Sequence, residues 1–388
     1  MMLTTTGYPP AYGGFEKAAL NFTRELVRRG YDVVFATCDQ GTDVSATPDV
    51  RVVKLRRGLL RQGGVGDYLR SLPRAIRLLP EVWTVVLRTR PTLIHCHDAL
   101  GFACAIPSKF LLRIPVVYHY HNDPRSLLNV LILKEANGLL FVGSSQKRRA
   151  EVRFAFVKGL SSKSTVVRGS ISPPPTSEGQ PLDEHQSFIL QVDRVTPEKG
   201  QQTLIDASKL LVGDFPDLRV LIVGPVSDET YFRSLLARIN ADGLERNVHV
   251  TGLVSPQRLA QLYSECMIFV HPCTWEEPFG LVIVEAMAYS KAIVASDVGD
   301  IPDFLESGKA GTLVPPGDAI GLASALKDLL RDVDKRLLMG KRAYSRYLDY
   351  LSLSAQVTLL ESAYHILVSR ESGGLPVNSL KQTPVGND

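Results

Sequence analysis

Two glutamates in the second half of the chain have the spacing of a site for a polyhydroxylated ligand. Glu277 and Glu285 are eight positions apart, with Pro278 and Gly280 between them. On a single helix this spacing would separate the two carboxylates by about 12 Å. Carboxylate oxygens accept hydrogen bonds from hydroxyl groups. A helix that starts near Gly280 would direct its N–H groups and positive dipole end at an anion. The pattern indicates a ligand that carries both sugar hydroxyls and phosphate.

A basic pair follows an apolar stretch earlier in the same half. Arg194 and Lys199 come after the predicted strand Phe188 to Val192. Negative charge on a phosphate group is stabilised by nearby cations. Such a pair, taken alone, is more often a surface salt bridge. Beside the Glu277 segment we interpret it as phosphate-binding.

Four histidines lie near the ends of two predicted strands in the first half. His95 and His97 end one strand, and His119 and His121 end the next. His121 falls at the loop, which makes it the candidate for ligand contact; the alternative is a core histidine bonded to backbone. A group of four histidines also suggests a metal-binding site. We expect the side chains to diverge, because alternate strand residues point to opposite faces, and we predict no metal site.

The elements that position these residues alternate along the chain. Short apolar runs without two-residue alternation, such as Val116 to His119 and Ile268 to His271, are typical of strands buried on both faces. Helical patterns such as Glu16 to Arg29 and Gln201 to Val212 lie between such runs. This alternation predicts βαβ units and doubly wound parallel sheets, which is an α/β fold.

A proline-rich stretch divides the 388 residues into two halves. Residues 173–183 contain four prolines, which cannot continue a helix or a central strand. We predict an N-terminal domain at 1–172, a linker at 173–183 and a C-terminal domain at 184–340. Residues 371–388 are rich in Gly and Pro and are expected to form a flexible tail.

The composition is that of an ordinary globular protein, with 45% hydrophobic and 22% charged residues and a formal net charge of +4. No signal peptide is visible at the N-terminus, and no apolar run approaches the length of a membrane span. The five cysteines form no C-x-x-C pair, which disfavours a zinc motif or a disulfide framework. We expect a protein of a reducing compartment, the cytoplasm.

Basic residues cluster between positions 41 and 90, ten against four acids. Such a cluster can contact an anionic membrane, a phosphorylated substrate or nucleic acid; a solvated helix face is the alternative. Nucleic acid is disfavoured, because aromatic residues are not interleaved with the arginines and no binding motif appears. The hypothesis is a peripheral contact between Arg56–Arg77 and the inner face of an anionic membrane.

The segment around Glu277 resembles the family 4 retaining glycosyltransferases, which have the GT-B fold. Glu277-Pro-Phe-Gly followed by Glu285 is similar to their E-x7-E signature. Five more stretches are similar in family order: the glycine loop Gly7 to Glu16, the R-x4-K-G element Arg194 to Gly200, Val223-Gly224-Pro225, the loop Ser296 to Asp303, and Leu313 to Asp318. Asp300 stands where the family commonly has a second glycine, which bears on donor preference.

The resemblance implies two Rossmann-like, doubly wound domains that face a cleft, and it assigns the site. The implied donor-binding residues are Gly13, Gly14, Arg194, Lys199, Gly224, Glu277, Phe279, Gly280, Leu281 and Glu285. Arg194 and Lys199 would stabilise the leaving diphosphate. Glu285 would bind the ribose, and Glu277 and His121 would orient the sugar. The implied catalytic residues are therefore His121, Glu277, Arg194 and Lys199.

The implied reaction is transfer of a hexose from a UDP-, GDP- or ADP-linked sugar to an acceptor hydroxyl, with retention and without a metal or other cofactor. The acceptor would be a glycan, a lipid-linked sugar or a small molecule that meets the N-terminal domain, in polysaccharide, glycolipid or other glycoconjugate synthesis. Two alternatives stay open. One is a nucleotide-sugar-processing enzyme of the same fold, such as an epimerase or phosphorylase, and the other is a non-catalytic relative.

Two expectations concern the ends of the chain. Only Met1 to Thr6 precede the glycine loop, so we expect a short first strand and a chain that begins late. The resemblance implies that a helical stretch at about 342–370 packs back onto the N-terminal domain.

Overall fold

The computed structural model describes residues 2–4, 14–38, 49–55, 67–122, 124, 127–171, 188–277 and 279–371. The chain forms two compact units, Met1–Ser170 with Leu353–Asp388, and Ile171–Ser352. The predicted linker, most of the predicted tail and Gly13 lie outside the described residues. Each unit is built on one parallel sheet, so the predicted α/β class is confirmed.

The described residues of the first unit form seven strands and, in its N-terminal part, five helices. The strands are β1 (Met2–Thr4), β2 (Val34–Cys38), β3 (Arg51–Leu55), β4 (Ile94–Cys96), β5 (Val116–Tyr120), β6 (Gly138–Phe141) and β7 (Ser164–Val166). The helices are α1 (Gly14–Arg28), α2 (Asp67–Thr89), α3 (Ala99–Leu112), α4 (Leu127–Glu135) and α5 (Ser144–Arg153). The sheet order is β3-β2-β1-β4-β5-β6-β7. Although β1 has three residues, it is central, since Met2 pairs with both Phe35 and His95.

The second unit repeats this plan with six strands among its described residues. They are β8 (Phe188–Val192), β9 (Arg219–Val223), β10 (Val248–Gly252), β11 (Ile268–His271), β12 (Ala292–Ser296) and β13 (Thr312–Val314). The helices are α6 (Gln201–Leu211), α7 (Glu229–Ala241), α8 (Pro256–Glu265), α9 (Leu281–Ala288), α10 (Ile301–Phe304), α11 (Ala319–Arg331) and α12 (Val333–Arg346). The sheet order is β10-β9-β8-β11-β12-β13.

Both sheets are buried on both faces, which explains the unbroken apolar runs of their central strands. In β5, Val116 and Tyr118 belong to one hydrophobic core and Val117 to another. In β8, Leu190 belongs to one hydrophobic core of the second unit and Ile189 to another. Helices cover each face of a parallel sheet, so neighbouring strand residues are both removed from water.

The last helix, α13 (Leu353–Glu371), belongs to the first unit. The predicted stretch 342–370 is therefore not one helix: α12 ends at Arg346, a π-helical turn spans Tyr347–Leu351, and Ser352 is extended. Helix α13 packs on α1, where Arg29 Nη1 donates to Glu361 Oε2 at 2.6 Å. Among the described helices, none is long and apolar enough to cross a membrane.

The strands that sequence reasoning missed are edge strands. β3 and β7 are the two edges of the first sheet, and β13 is one edge of the second. An edge strand is covered less completely than a central one and needs fewer apolar residues. Val52 and Val53 are only half-buried, for example, and Arg51 is exposed.

Candidate donor site

The predicted ligand-binding residues of the second unit gather where the strand order reverses. β8 and β11 are neighbours, but the chain continues from β8 to β9 on one side and from β11 to β12 on the other. The loops after β8 and β11 therefore diverge and leave a crevice at the carboxyl edge of the sheet, the usual ligand position in such folds. Thr274 N–H donates to the Glu198 carbonyl at 2.9 Å, which ties the two loops together.

Glycines allow these loops to touch. A Cβ on Gly200 would lie 1.9 Å from the Pro272 carbonyl oxygen, and one on Gly299 would lie 2.1 Å from the Glu277 carbonyl oxygen. Gly224, a predicted donor-binding residue, packs in the same way, with 1.9 Å between its ideal Cβ and the Asp193 oxygen. In this structure, close backbone packing explains the absence of a side chain at all three positions.

Four buried ionisable side chains form a closed ring at this edge. Lys199 Nζ lies 2.6 Å from Glu277 Oε2 and 3.2 Å from Asp193 Oδ1. His271 Nδ1 lies 2.9 Å from Asp193 Oδ2, out of hydrogen-bond alignment, and His271 Nε2 lies 3.9 Å from Glu277 Oε2. Cation and anion alternate around the ring, so each buried charge has an opposite charge on both sides.

The ring keeps Lys199, His271 and Glu277 ionised although they are buried. Burial alone would raise the pKa of Glu277, but the Lys199 ammonium and the His271 ring lower it to about 2. Burial would lower the pKa of His271, but the Asp193 carboxylate raises it to about 10. Burial is likewise outweighed at Lys199, where Asp193 and Glu277 raise the pKa above its usual value. At neutral pH the crevice therefore presents a fixed ammonium and a fixed carboxylate.

Glu277 is also held from the side of helix α9. Trp275 Nε1 donates to Glu277 Oε2 at 3.0 Å, and Gly280 N–H donates to Glu277 Oε1 at 3.2 Å. Gly280 caps the helix in a left-handed conformation, with φ +65°, which favours glycine. Leu281 is the first residue of the helix, and the N–H groups of a first turn have no intrahelical partner. Phe279 packs edge-on against Phe304 beside this turn.

Glu285 lies within α9, whereas Glu277 precedes it, so the two carboxylates do not share one helix. Tyr263 Oη donates to Glu285 Oε2 at 2.8 Å, and both side chains are buried. Burial and the Glu285 charge raise the pKa of Tyr263 well above its usual value. The hydroxyl therefore remains a donor and holds one oxygen of Glu285, the predicted ribose ligand.

Arg194 differs from its predicted partner. It follows β8 in the same loop as Lys199, but its side chain is exposed and no ion pair connects it to another described residue. Its carbonyl accepts a hydrogen bond from Gln201 Nε2 at 2.8 Å, which fixes the loop backbone. The predicted basic pair is thus one buried, preorganised cation and one exposed cation.

In the first unit, the expectation that the four histidines diverge is wrong. Ring centroids lie 4.2 Å apart for His95 and His97, 4.6 Å for His119 and His121, and 5.3 Å for His97 and His121. Residues two apart on a strand share a face, and β4 and β5 are neighbours, so the four rings meet. Burial lowers the pKa of His119 to about 4 and that of His121 well below its usual value.

Gly14, of the predicted glycine pair, is the first residue of α1.

Four supporting residues were not singled out from the sequence: Asp193, Tyr263, His271 and Trp275. Asp193 directly follows β8, and His271 ends β11. Charged or titratable residues at the carboxyl ends of predicted parallel strands were therefore a usable signal. The sequence around Tyr263 contains no motif that indicates a role in the site. Tyr263 lies on α8 and contacts Glu285 only through tertiary packing.

The ring predicts a stability that falls in alkaline solution. The pKa of His271 is near 6.5 in an unfolded chain and about 10 in the fold. Its contribution is therefore complete below pH 6.5 and is lost as pH rises toward 10. We expect urea denaturation of wild type to lose up to about 1.4 kcal/mol more per pH unit across this window than His271→Gln. Parallel slopes for the two proteins would contradict a protonated His271.

Two doubly wound parallel sheets, with a buried cation, a carboxylate and a helix N-terminus at the switch point of the second, agree with the GT-B class of glycosyltransferases. Family models agree with this class. The model for glycosyl transferases group 1 matches residues 175–346, and that for glycosyltransferase family 4 matches residues 12–167. The chain belongs to glycosyltransferase family 4, group 1 type.

Individual proteins show the same relationship. The D-inositol 3-phosphate glycosyltransferase of Corynebacterium efficiens is 33% identical, over 94% of this chain and 93% of that protein. The phosphatidyl-myo-inositol mannosyltransferase of Mycobacterium leprae is 35% identical over 192 residues, which cover 48% of this chain and 49% of that protein. The crystal structure of HepE from Anabaena with UDP and glucose has a TM-score of 0.73 at 21% identity and covers 93% of this chain and 97% of that one. The last similarity shows the fold.

Proposed function

We propose that the chain transfers a hexose from a nucleoside diphosphate sugar to an acceptor hydroxyl, with retention of configuration and without a metal at the donor site. The contact between Lys199 and Glu277 at the switch point carries this proposal. It places a fixed cation and a fixed carboxylate beside the N-terminus of α9, and these are complementary to a diphosphate and to sugar hydroxyls.

The cationic residues of the site bind the diphosphate, and the carboxylates bind the hydroxyl groups of the sugar and ribose. A lysine ammonium has three N–H donors. Lys199 directs some of them at Asp193 and Glu277. The remaining donor hydrogen-bonds the leaving diphosphate. Arg194, exposed on the same loop, adds a second cation as negative charge develops. Glu277 orients the sugar, and Glu285, held by Tyr263, binds the ribose. For His121, which lies in the first unit, the role rests on the family resemblance alone.

The donor is identified by a thermal-shift panel of UDP-, GDP- and ADP-sugars on wild type and Glu285→Ala. A ligand at a hundred times its Kd stabilises a fold by about 2.7 kcal/mol. We expect a selective shift for one nucleotide in wild type and its loss in the variant. Because a relative such as HepE was crystallised with UDP, UDP-sugars come first. Absence of any shift would favour a non-catalytic relative.

Retention is tested on the product of the active donor. The anomeric configuration of the transferred sugar, read by NMR, is expected to match that of the donor. An inverted product would contradict the proposed mechanism. Turnover of the nucleotide sugar that does not depend on an acceptor would instead favour the epimerase- or phosphorylase-like alternative.

Membrane contact remains a second proposal, and relatives that act on phosphatidylinositol make it relevant to the acceptor. Arg56, Arg57 and Arg61 lie outside the described residues, whereas Arg77 on α2 is exposed. At the end of α3, Phe110 and Leu111 are 63% and 70% exposed, and exposed apolar side chains beside cations suit a membrane interface. The proposed contact is thus both electrostatic and apolar.

We expect the protein to sediment with phosphatidylglycerol vesicles and not with phosphatidylcholine vesicles. Charge reversal of Arg56, Arg57 and Arg61 to Glu should abolish most of this binding, since each basic residue near an anionic surface contributes about 1 kcal/mol. Wild type that binds neither kind of vesicle would end the membrane proposal.

A further inference from the structure

We propose that the first unit binds a divalent transition-metal ion of the zinc class through His95, His97 and His119. One potential ligand atom from each of these buried imidazoles lies within 4.8 Å of the other two. His95 and His97 lie at the end of β4, and His119 lies in the neighbouring strand β5. One strand thus supplies two ligands on the same face, and the next supplies the third. This inference does not depend on the proposed reaction.

The three rings each have one buried nitrogen without a hydrogen-bond partner among the described residues: His95 Nε2, His97 Nε2 and His119 Nδ1. A buried polar atom left unsatisfied costs about 1–3 kcal/mol, and such atoms are uncommon. Three of them in one cluster point to a shared ligand. A water molecule has two protons to donate, so it satisfies two lone pairs, whereas a metal ion accepts all three.

The hydrogen bonds on the opposite sides of the rings are compatible with the tautomers that a metal requires. The Val167 carbonyl only accepts, so His119 donates to it through Nε2–H, at 2.9 Å, and Nδ1 carries the lone pair. Tyr364 Oη donates to Met2 Sδ at 3.7 Å. The same hydroxyl oxygen lies 2.6 Å from His95 Nδ1; when it accepts from His95 Nδ1–H, the lone pair is on His95 Nε2.

His97 completes the set. Its Nδ1 lies 3.0 Å from His121 Nε2; when His97 donates there, its Nε2 carries the third lone pair. Metal-binding histidines usually donate their second N–H to a partner in this way. Neutral imidazoles suit Zn²⁺, Co²⁺, Ni²⁺ and Cu²⁺, and a three-histidine zinc site has an open fourth position. A bound ion would also fix the His97 ring and, through it, His121.

A second group has ligand atoms equally close together, His271, Cys273 and Glu277. There the Lys199 ammonium lies 2.6 Å from the Glu277 carboxylate and already neutralises it. A divalent cation would face a lysine and a protonated histidine, which repel it. The cluster in the first unit has the better chemistry, and the second group supplies a control.

The test uses the full-length chain without a polyhistidine tag. Metal content after purification is measured by mass spectrometry, and chelator-dialysed protein is then titrated with Co²⁺ while visible absorbance is recorded. We expect a single ion per chain, the absorption bands of four-coordinate Co²⁺, and a thermal shift with Zn²⁺. His119→Gln should lose all three, whereas His365→Gln and Cys273→Ser should retain them. Circular dichroism confirms that each variant is folded, and His97→Gln replaces His119→Gln if the latter is not.

Three results would overturn the site. The first is wild type with neither bound metal nor a cobalt spectrum, as expected when a buried water or no ligand occupies the cluster. The second is an unchanged spectrum in the folded histidine variant. The third is loss of the spectrum in Cys273→Ser, which would assign the ion to the second unit.

Discussion

Replacement of Lys199 by Met is expected to reduce sugar transfer by about 100- to 1,000-fold, the usual effect of removing one group that stabilises charge in a transition state. The same change should also destabilise the fold, because Asp193 and Glu277 are buried and both lie within ion-pair distance of Lys199. Breaking a buried pair by removing one partner costs about 3–5 kcal/mol. Transfer is measured as product formed per unit time, and stability by urea denaturation.

Arg194→Met is the matched control, because both residues carry the same predicted role on the same loop. Arg194 is exposed, so its loss should lower transfer while the free energy of unfolding stays within about 0.5 kcal/mol of wild type. The pair of variants separates chemistry from folding. A Lys199→Met protein as stable as wild type would contradict the buried charge ring, and one with unchanged transfer would contradict the proposed donor site.

Gly200→Ala is expected to be strongly destabilising, although it adds only one methyl group. The added Cβ would lie 1.9 Å from the Pro272 carbonyl oxygen, a contact that backbone atoms must move to relieve. Gly200 also has φ +69°, where an L-residue is strained. We expect a loss of about 3–5 kcal/mol in the free energy of unfolding and weaker nucleotide binding, because the displaced loops carry Lys199 and Glu277.

Gly243→Ala is the control that measures the cost of the left-handed backbone conformation without a steric clash. Its φ is +68°, nearly that of Gly200, but an added Cβ would meet nothing within 4 Å. The expected cost is therefore the left-handed strain alone, about 1–2 kcal/mol, with nucleotide binding unchanged. Equal losses in the two variants, measured by urea denaturation, would show that the contact between Gly200 and Pro272 is not close in solution.

The sequence alone allowed prediction of two kinds of element. One is the strand that is buried on both faces, and the other is the helix whose start is marked by a glycine. Central strands such as Ile268–His271 are continuous apolar runs, and the helix after Gly280 begins at a glycine that takes a left-handed conformation. The edge strand Arg51–Leu55 was missed because it has no such run. The break between α12 and α13 was missed as well, because local helical pattern continues through Tyr347–Leu351.

The residue types of the donor site were also present in the sequence, since the spacing of Glu277 and Glu285 and the Arg194–Lys199 element are local patterns. Only the tertiary structure decided their electrostatics. Asp193 and His271 are 78 positions apart and meet because β8 and β11 are neighbours in the sheet. The histidine cluster has the same origin, since β4 and β5 bring His97 and His121 together. Local sequence sets which side chains a strand end presents; the order of strands sets which of them become partners, and buried charges depend on their partners.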